Sequence, residues 1–208
     1  MSARLELSPG AVLLPGRLLT AAPALLTTLA PILERAPLRH MQTGRGYFMS
    51  VAMTNCGDMG WVSDRRGYRY SALDPISGQA WPPMPSALRE LAIILAAEAG
   101  FPDFHPDACL INRYDPGARM GLHQDKDEAD LSAPIVSCSF GLPAIFLWGG
   151  PTRHDKTQKI RLEHGDALIW GGPARLYFHG VQPIRPDVHP DVGGFRLNLT
   201  FRQALARP

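Results

Sequence analysis

The chain is predicted to be mainly β, an antiparallel two-sheet jelly roll with flanking helices, and three observations say so. Its 208 residues include 20 Gly and 20 Pro, a supply of turn formers suited to many short strands and not to a helical bundle. From Ala108 onward, apolar runs recur between Gly, Pro and Asp: Cys109 to Tyr114, Pro134 to Phe140, Ala144 to Trp148, Lys159 to Leu162, Ala167 to Trp170, Arg175 to His179 and Arg196 to Phe201. Helical periodicity is confined to two stretches, both upstream of that region. At 45% hydrophobic and 19% charged residues, the composition is that of an ordinary globular protein with one well-buried core. A single domain over 1–208 is expected, with an N-terminal part in 1–107 and the jelly-roll core in 108–204.

Taken in order, Leu25, Leu26, Leu29, Ile32 and Leu33 recur at helical spacing and predict an amphipathic helix over about 23–35, against which Pro31 argues. Met49 to Thr54 reads as a strand and Asn55 to Gly60 as a turn. A second helix is predicted from Ser86 to Ala99, with Leu88, Leu91, Leu95 and Ala99 on one face and Gly100 just past its end. After the strands named above, Pro183, Pro186 and Pro190 make 183–194 a loop, since proline cannot donate to a ladder.

A formal net charge of +2 excludes nucleic-acid binding by overall charge and leaves it to local clusters. Cys56, Cys109 and Cys138 are odd in number and irregular in spacing, which points to a reducing, cytoplasmic setting and to no Cys-x-x-Cys metal clip. The apolar stretch Leu18 to Ala30 is interrupted by Pro23 and falls short of the ~20 residues of a membrane span. No targeting signal, membrane association or obligate protein partner is read from the sequence, and a monomer is expected.

The tripeptide His-x-Asp occurs four times, at His105, His123, His164 and His189, so it identifies nothing alone. His189 has no later histidine, His164 lies a short way before His179, and His105 precedes Pro106 in a turn-like run. His123-Gln-Asp125 has His179 far downstream, followed by a strand that carries Arg196 and Arg202. Two imidazoles and one carboxylate on one face of an octahedral metal leave adjacent positions for a chelating cosubstrate and dioxygen. In the last strand, period-two alternation puts Arg196, Asn198, Thr200 and Arg202 on one face and Phe195, Leu197, Leu199 and Phe201 on the other. At about 3.3 Å per residue the arginine Cα atoms stand roughly 20 Å apart, and side chains reaching inward from each end leave room for a small diacid. Each feature has a plainer explanation: a surface turn for His123 and Asp125, a satisfied core histidine for His179, solvated arginines for the strand. Together they favour a metal beside a dicarboxylate pocket.

The runs Asn112-Arg-Tyr-Asp-Pro-Gly, His123-Gln-Asp-Lys-Asp-Glu, Leu162-Glu-His-Gly-Asp-Ala, Trp170-Gly-Gly and Arg196-Leu-Asn-Leu-Thr-Phe-Arg-Gln resemble the AlkB family of iron(II)- and 2-oxoglutarate-dependent dioxygenases, in order through most of 40–204. The resemblance implies a double-stranded β-helix, iron(II) held by His123, Asp125 and His179, and 2-oxoglutarate held by Arg196 and Arg202, with Asn112, Tyr114 and Asn198 lining the same pocket. It implies an N-terminal nucleotide-recognition lid, here Thr43 to Trp81. There Trp61, Arg65, Arg66, Tyr68, Arg69 and Tyr70 interleave aromatic and basic residues, a texture suited to base stacking and phosphate neutralisation. In the resemblance Trp61 stacks on the damaged base, Tyr68 and Tyr70 form the nearby wall, and Asp127 and Arg153 add substrate contacts.

The implied activity uses dioxygen to hydroxylate an N-alkyl group, releasing formaldehyde and restoring the base. The implied substrates are 1-methyladenine and 3-methylcytosine in single-stranded DNA and also duplex DNA, with RNA as a further candidate. Two other readings remain: a related oxygenase that acts on a protein or small molecule, which loss of the aromatic and basic lid would favour, and a non-catalytic jelly-roll binding module. A zinc hydrolase leaves the dicarboxylate-sized basic strand unexplained.

Overall fold

The computed structural model describes residues 4–206. Strands β1 (Leu5–Ser8) and β2 (Ala11–Leu14) open the chain, followed by helices α1 (Ala22–Thr27) and α2 (Ala30–Arg35), strands β3 (Arg39–Gln42) and β4 (Phe48–Gly57), the hairpin β5 (Gly60–Asp64) and β6 (Gly67–Ser71), and helix α3 (Ser86–Glu98). Then come β7 (Ala108–Tyr114), β8 (Met120–His123), β9 (Ile135–Gly141), β10 (Ala144–Trp148), β11 (Gln158–Leu162) and β12 (Ala167–Trp170). A 3-10 turn at Gly172–Ala174 precedes β13 (His179–Val181) and β14 (Arg196–Arg202). These strands form a major sheet in the order β1-β2-β12-β9-β14-β7-β4-β3, a minor sheet β11-β10-β13-β8, and the separate β5-β6 ribbon. The two sheets are the jelly roll, and the major one takes strands from both sides of residue 107.

The alternation read from β14 sets the layers. Leu197, Leu199 and Phe201 pack with Cys109, Ile111, Val136 and Cys138 against Leu88, Ala92 and Leu95 of α3 and against Leu25, Leu29 and Ile32. Arg196, Asn198, Thr200 and Arg202 line the cavity between the sheets. An apolar face buried against helices fixes the register, because a one-residue slip would turn the arginines into hydrocarbon. Helix α3 ends as its sequence predicts: Gly100 has φ +100, and the N–H groups of Phe101 and Gly100 donate to the carbonyls of Ala96 and Ala97. That is a Schellman closure, whose left-handed residue favours glycine.

Several expectations are corrected. The helix over 23–35 is two helices, each with a proline in its first turn; Pro31 has no N–H for a continuous ladder and its ring would meet the preceding turn. The turn at Asn55 to Gly60 shrinks to Asp58 and Met59, because β4 stays paired with β7 as far as Gly57 opposite Ala108. Arg175 to His179 is not a strand. The Arg175 N–H closes the 3-10 turn on Gly172, and β13 starts only at His179. β1, β2 and β8 are additional short strands, each of four residues. The 183–194 stretch is irregular, with one bridge between His189 and Gly193.

Candidate metal and cosubstrate site

His123 ends β8 and His179 begins β13, and the two stand directly opposite each other in the minor sheet. Asp125 follows β8 by two residues. His123 Nε2 lies 3.5 Å from Asp125 Oδ1 and His179 Nε2 lies 3.8 Å from Asp125 Oδ2. One ligand atom from each of the three falls within 4.8 Å of the others. The opposite ring nitrogens decide the tautomer: His123 Nδ1 sits 3.0 Å from the Gly121 carbonyl and His179 Nδ1 3.0 Å from the Tyr177 carbonyl. A carbonyl only accepts, so both Nδ1 atoms carry hydrogen and both Nε2 lone pairs point at a common centre, as metal ligation requires.

Burial, and then the proximity of His123, push the pKa of His179 down to about 4, which keeps it neutral. Burial opposes ionisation of Asp125, but Arg202 and the two histidines outweigh it and hold the carboxyl well below its ordinary range. For His123 burial acts downward, and the hydrogen bond and charge of Asp125 raise it above its usual value all the same.

A second cluster, His164, His189 and Asp191, is as compact, yet its hydrogen bonding is the reverse. His164 Nδ1 accepts from the Gly141 N–H and His189 Nδ1 from the Asp191 N–H. Each ring therefore carries its hydrogen on Nε2, and the rings stack 4.2 Å apart at 19°, so their in-plane lone pairs do not converge. The geometry selects the first cluster as the metal site.

Along β14 the two arginines differ in what they hold. Arg202 donates to Asp125 Oδ2 at 2.7 Å; Asp125, Tyr70 and Glu128 together raise its pKa despite burial. Arg196, 2% exposed, has no carboxylate partner among the described residues. It donates to Ser139 Oγ at 2.7 Å and weakly to the Leu142 carbonyl at 3.4 Å, and its Nε has no partner. Burial lowers its pKa to about 10. A fully buried cation with a free donor needs an anion. The unpartnered donor is thus at Arg196 Nε, while Arg202 stands at the metal carboxylate.

Tyr114 lies opposite Arg196 and Asn112 opposite Asn198 across the β7–β14 ladder. Asn112 Oδ1 is another unpartnered buried atom, and burial pushes the Tyr114 phenol up to about 12. Asn198 is held by Ser137, the Cys138 carbonyl and Thr200. All these groups line one cavity of about 620 Å³. Its free buried fork, orphaned acceptor and three convergent ligands fit iron(II) with 2-oxoglutarate.

Trp61, Tyr68, Asp127 and Arg153 line the same cavity; Tyr70 does not. Trp61 and Tyr68 stack at 5.4 Å and 25°, and Trp61 Nε1 donates to Asp127 Oδ2 at 2.8 Å. Arg153 donates to the Leu122 carbonyl. Tyr70 instead donates to Glu128 Oε1 at 2.8 Å. Arg69 is taken up by Asp64, which leaves Arg65 and Arg66 exposed at the β5–β6 turn. Sequence reasoning missed Glu128 and Arg175, which form a buried ion pair beside Asp125. Glu128 lies in the short charged run after Asp125, and nothing in spacing or composition marks either residue.

An antiparallel jelly roll whose strands converge two imidazoles and a carboxylate beside an unpaired buried arginine defines the class of non-haem iron oxygenases that use a 2-oxo acid. The chain matches the 2OG-Fe(II) oxygenase superfamily over residues 10–202 and belongs to it. Within it the chain belongs to the AlkB family of dioxygenases: it is 52% identical over 201 residues to the alpha-ketoglutarate-dependent dioxygenase AlkB of Salmonella typhimurium, covering 97% of this chain and 93% of that one. It is 35% identical over 127 residues to the nucleic acid dioxygenase ALKBH1 of Homo sapiens, covering 61% of this chain and 32% of that one. The structure of OsALKBH1 superposes with a TM-score of 0.82 at 31% identity, covering 97% of this chain and 100% of that one. As the family requires, the chain is an iron(II)- and 2-oxoglutarate-dependent dioxygenase. No described helix is long and apolar enough to cross a membrane.

Proposed function

We propose that this enzyme is an oxidative demethylase of alkylated nucleic-acid bases. Its substrates are 1-methyladenine and 3-methylcytosine in single-stranded and duplex DNA, with RNA as a further substrate. It works as a monomer in the cytoplasm, where its three free buried cysteines stay reduced. The observation that carries this reading is the Trp61–Tyr68 stack tied to Asp127 inside the cavity that also contains His123, Asp125 and His179. The relative in Homo sapiens, named a nucleic acid dioxygenase, supports it.

In this reading His123, Asp125 and His179 would hold iron(II), and Arg196, whose Nε is unpartnered, would take a carboxylate of 2-oxoglutarate. Asn112, Tyr114 and Asn198 line the same cavity, and Arg202 is bonded to Asp125. When bound there, iron(II) with 2-oxoglutarate would supply dioxygen-dependent hydroxylation of an N-alkyl carbon, with succinate and carbon dioxide as by-products. The residues orient and exclude. The rigid Arg196 fork sets the direction of the diacid, which a lysine could not. Arg202 keeps Asp125 ionised as a ligand. Trp61 and Tyr68 hold a flat base by stacking, and a base within a duplex must be flipped out to reach them. Asp127 favours the cationic methylated bases over their neutral parents, and the Trp61 N–H fixes ring and carboxylate together. Arg153 and Tyr70 complete the wall, Arg153 directly and Tyr70 through Glu128. Phe146 and Trp170, which pack against His179, add apolar lining to the cavity and help exclude water from the metal site. The hydroxylated N-alkyl group collapses to formaldehyde and the unmodified base, so no protein nucleophile is required.

The test incubates the protein with iron(II), 2-oxoglutarate, air and single- and double-stranded oligonucleotides that carry one methylated base each, and weighs the products. Methyl loss from 1-methyladenine and 3-methylcytosine is expected. Unchanged oligonucleotides alongside succinate production stimulated by a protein or small molecule would overturn the proposal.

A further inference from the structure

Behind the metal carboxylate lies a buried ion pair that neither metal nor cosubstrate needs for a ligand. The side chains of Arg175 and Glu128 are 3% and 2% exposed. Arg175 spends its whole guanidinium on this corner: Nε donates to the Ala133 carbonyl at 2.9 Å, Nη1 to the Asp125 carbonyl at 2.6 Å, and Nη2 to Glu128 Oε2 at 2.9 Å. Asp125 and Ala133 bracket the loop between β8 and β9, so one planar fork pins both ends of the segment that bears Asp125 and Asp127. Glu128 in turn joins three elements. Oε2 holds Arg175, while Oε1 accepts from Tyr70 on the β6 lid strand at 2.8 Å and lies 3.3 Å from Arg202 Nε.

We propose that Arg175 and Glu128 are a positioning pair that ties the placement of the lid hairpin to the orientation of Asp125 and Arg202. The inference rests on the reading of the cavity as an iron and 2-oxoglutarate site with Trp61 and Tyr68 as its base platform. Asp125 can ligate productively only if its main chain is fixed, and Arg175 fixes it. Trp61 faces Tyr70 directly in the hairpin ladder, so a lid drawn onto Glu128 through Tyr70 brings the platform to a set height above the metal. A lid that floats would let cosubstrate turn over while the target carbon is out of reach. A fixed planar fork with three separate donor directions is needed for this, and a lysine ammonium cannot make the same three bonds. Partners behind metal ligands typically matter about 10- to 100-fold in metal affinity or activity.

The experiment compares wild type with Arg175→Lys, Glu128→Gln and Tyr70→Phe. The readouts are succinate formed per base demethylated, and the iron dissociation constant measured anaerobically by chelator competition on protein shown folded by circular dichroism. We expect wild type to form close to one succinate per demethylated base and all three variants to form several-fold more. Iron affinity should fall about tenfold in Arg175→Lys. Glu128→Gln and Tyr70→Phe, which are nearly isosteric, keep the test open if Arg175→Lys does not fold. Variants with lower melting temperatures but the wild-type ratio and wild-type iron affinity would reduce the pair to scaffold and overturn the inference. A wild-type protein that demethylates none of the oligonucleotides would instead overturn the demethylase reading.

Discussion

Arg196 is where function and stability pull apart within one side chain. Its guanidinium is buried without an ion-pair partner among the described residues, held by one good and one weak hydrogen bond, and burial outweighs the more distant Tyr114 and Asp166 to bring its pKa to about 10. Replacing even paired buried charges with well-packed apolar groups is often neutral or stabilising by about 1–4 kcal/mol, and an unpaired one has less attraction to lose. Arg196→Met is therefore expected to raise the melting temperature of the metal-free protein while it abolishes 2-oxoglutarate turnover; a lower melting temperature would show that the guanidinium is compensated by groups not identified above. His179 gives the pH counterpart. Its pKa is about 4 in the fold against roughly 6.5 unfolded. Between those values the unfolded chain binds the extra proton, so stability rises with pH across the window and is lost as pH falls from 6.5 towards 4. The raised His123 acts in the opposite sense, adding stability at low pH that fades as pH climbs through its folded value. For the metal-free protein, His179→Gln should flatten the acid limb of unfolding free energy against pH, followed by denaturant melts, by up to about 3 kcal/mol. Parallel limbs for variant and wild type would contradict the assignment.

At the level of elements, what was readable in advance depended on length and period. β14 was readable because seven alternating residues separate a polar row from an apolar one, and α3 because thirteen residues repeat one face before a glycine. β1, β2 and β8, at four residues each, are too short for alternation to show, and only their pairing, β1 with β2, β2 with β12 and β8 with β13, makes them strands. The four His-x-Asp tripeptides look alike by themselves; the residues downstream single out His123, and in the fold the backbone groups facing Nδ1 separate its cluster from that of His164 and His189. Glu128 and Arg175 were unreadable because burial of a charge in a loop is decided by tertiary partners. The β8–β13 junction yields its own prediction. A Cβ on Gly180 would fall 2.8 Å from the Met120 carbonyl and 3.2 Å from Gly121 backbone atoms, so Gly180→Ala must push β13 away from β8 and separate His179 from His123. Overpacking of this kind costs about 1–3 kcal/mol. Iron affinity, titrated anaerobically, should drop by roughly tenfold or more. Wild-type affinity in a folded Gly180→Ala protein would mean that the strands absorb the methyl elsewhere.

The molecule as a whole carries a net charge of only +2, too little to gather a polyanion from a distance, so any hold on nucleic acid must come from where the arginines lie. Arg119 and Arg153 line the cavity, and Arg65 and Arg66 are exposed at the tip of the ribbon that carries Trp61 and Tyr68. Neither Arg65 nor Arg66 has an ion-pair partner among the described residues, whereas Arg69 of the same ribbon is neutralised by Asp64. A strand laid over the platform would meet the unpaired pair with its phosphates and leave Arg69 untouched. Each phosphate neutralised on a single strand contributes about 0.7 to the slope of log affinity against log salt. The double variant Arg65→Gln, Arg66→Gln should thus flatten that slope by roughly 1.4, measured by fluorescence anisotropy with a labelled methylated oligonucleotide, while succinate production without nucleic acid stays as in wild type. Arg69→Gln should leave the slope as it was. Were the double variant to weaken binding equally at every salt concentration, the two arginines would be acting through the fold of the ribbon and not through phosphate, and the path of the strand across the mouth would have to be redrawn.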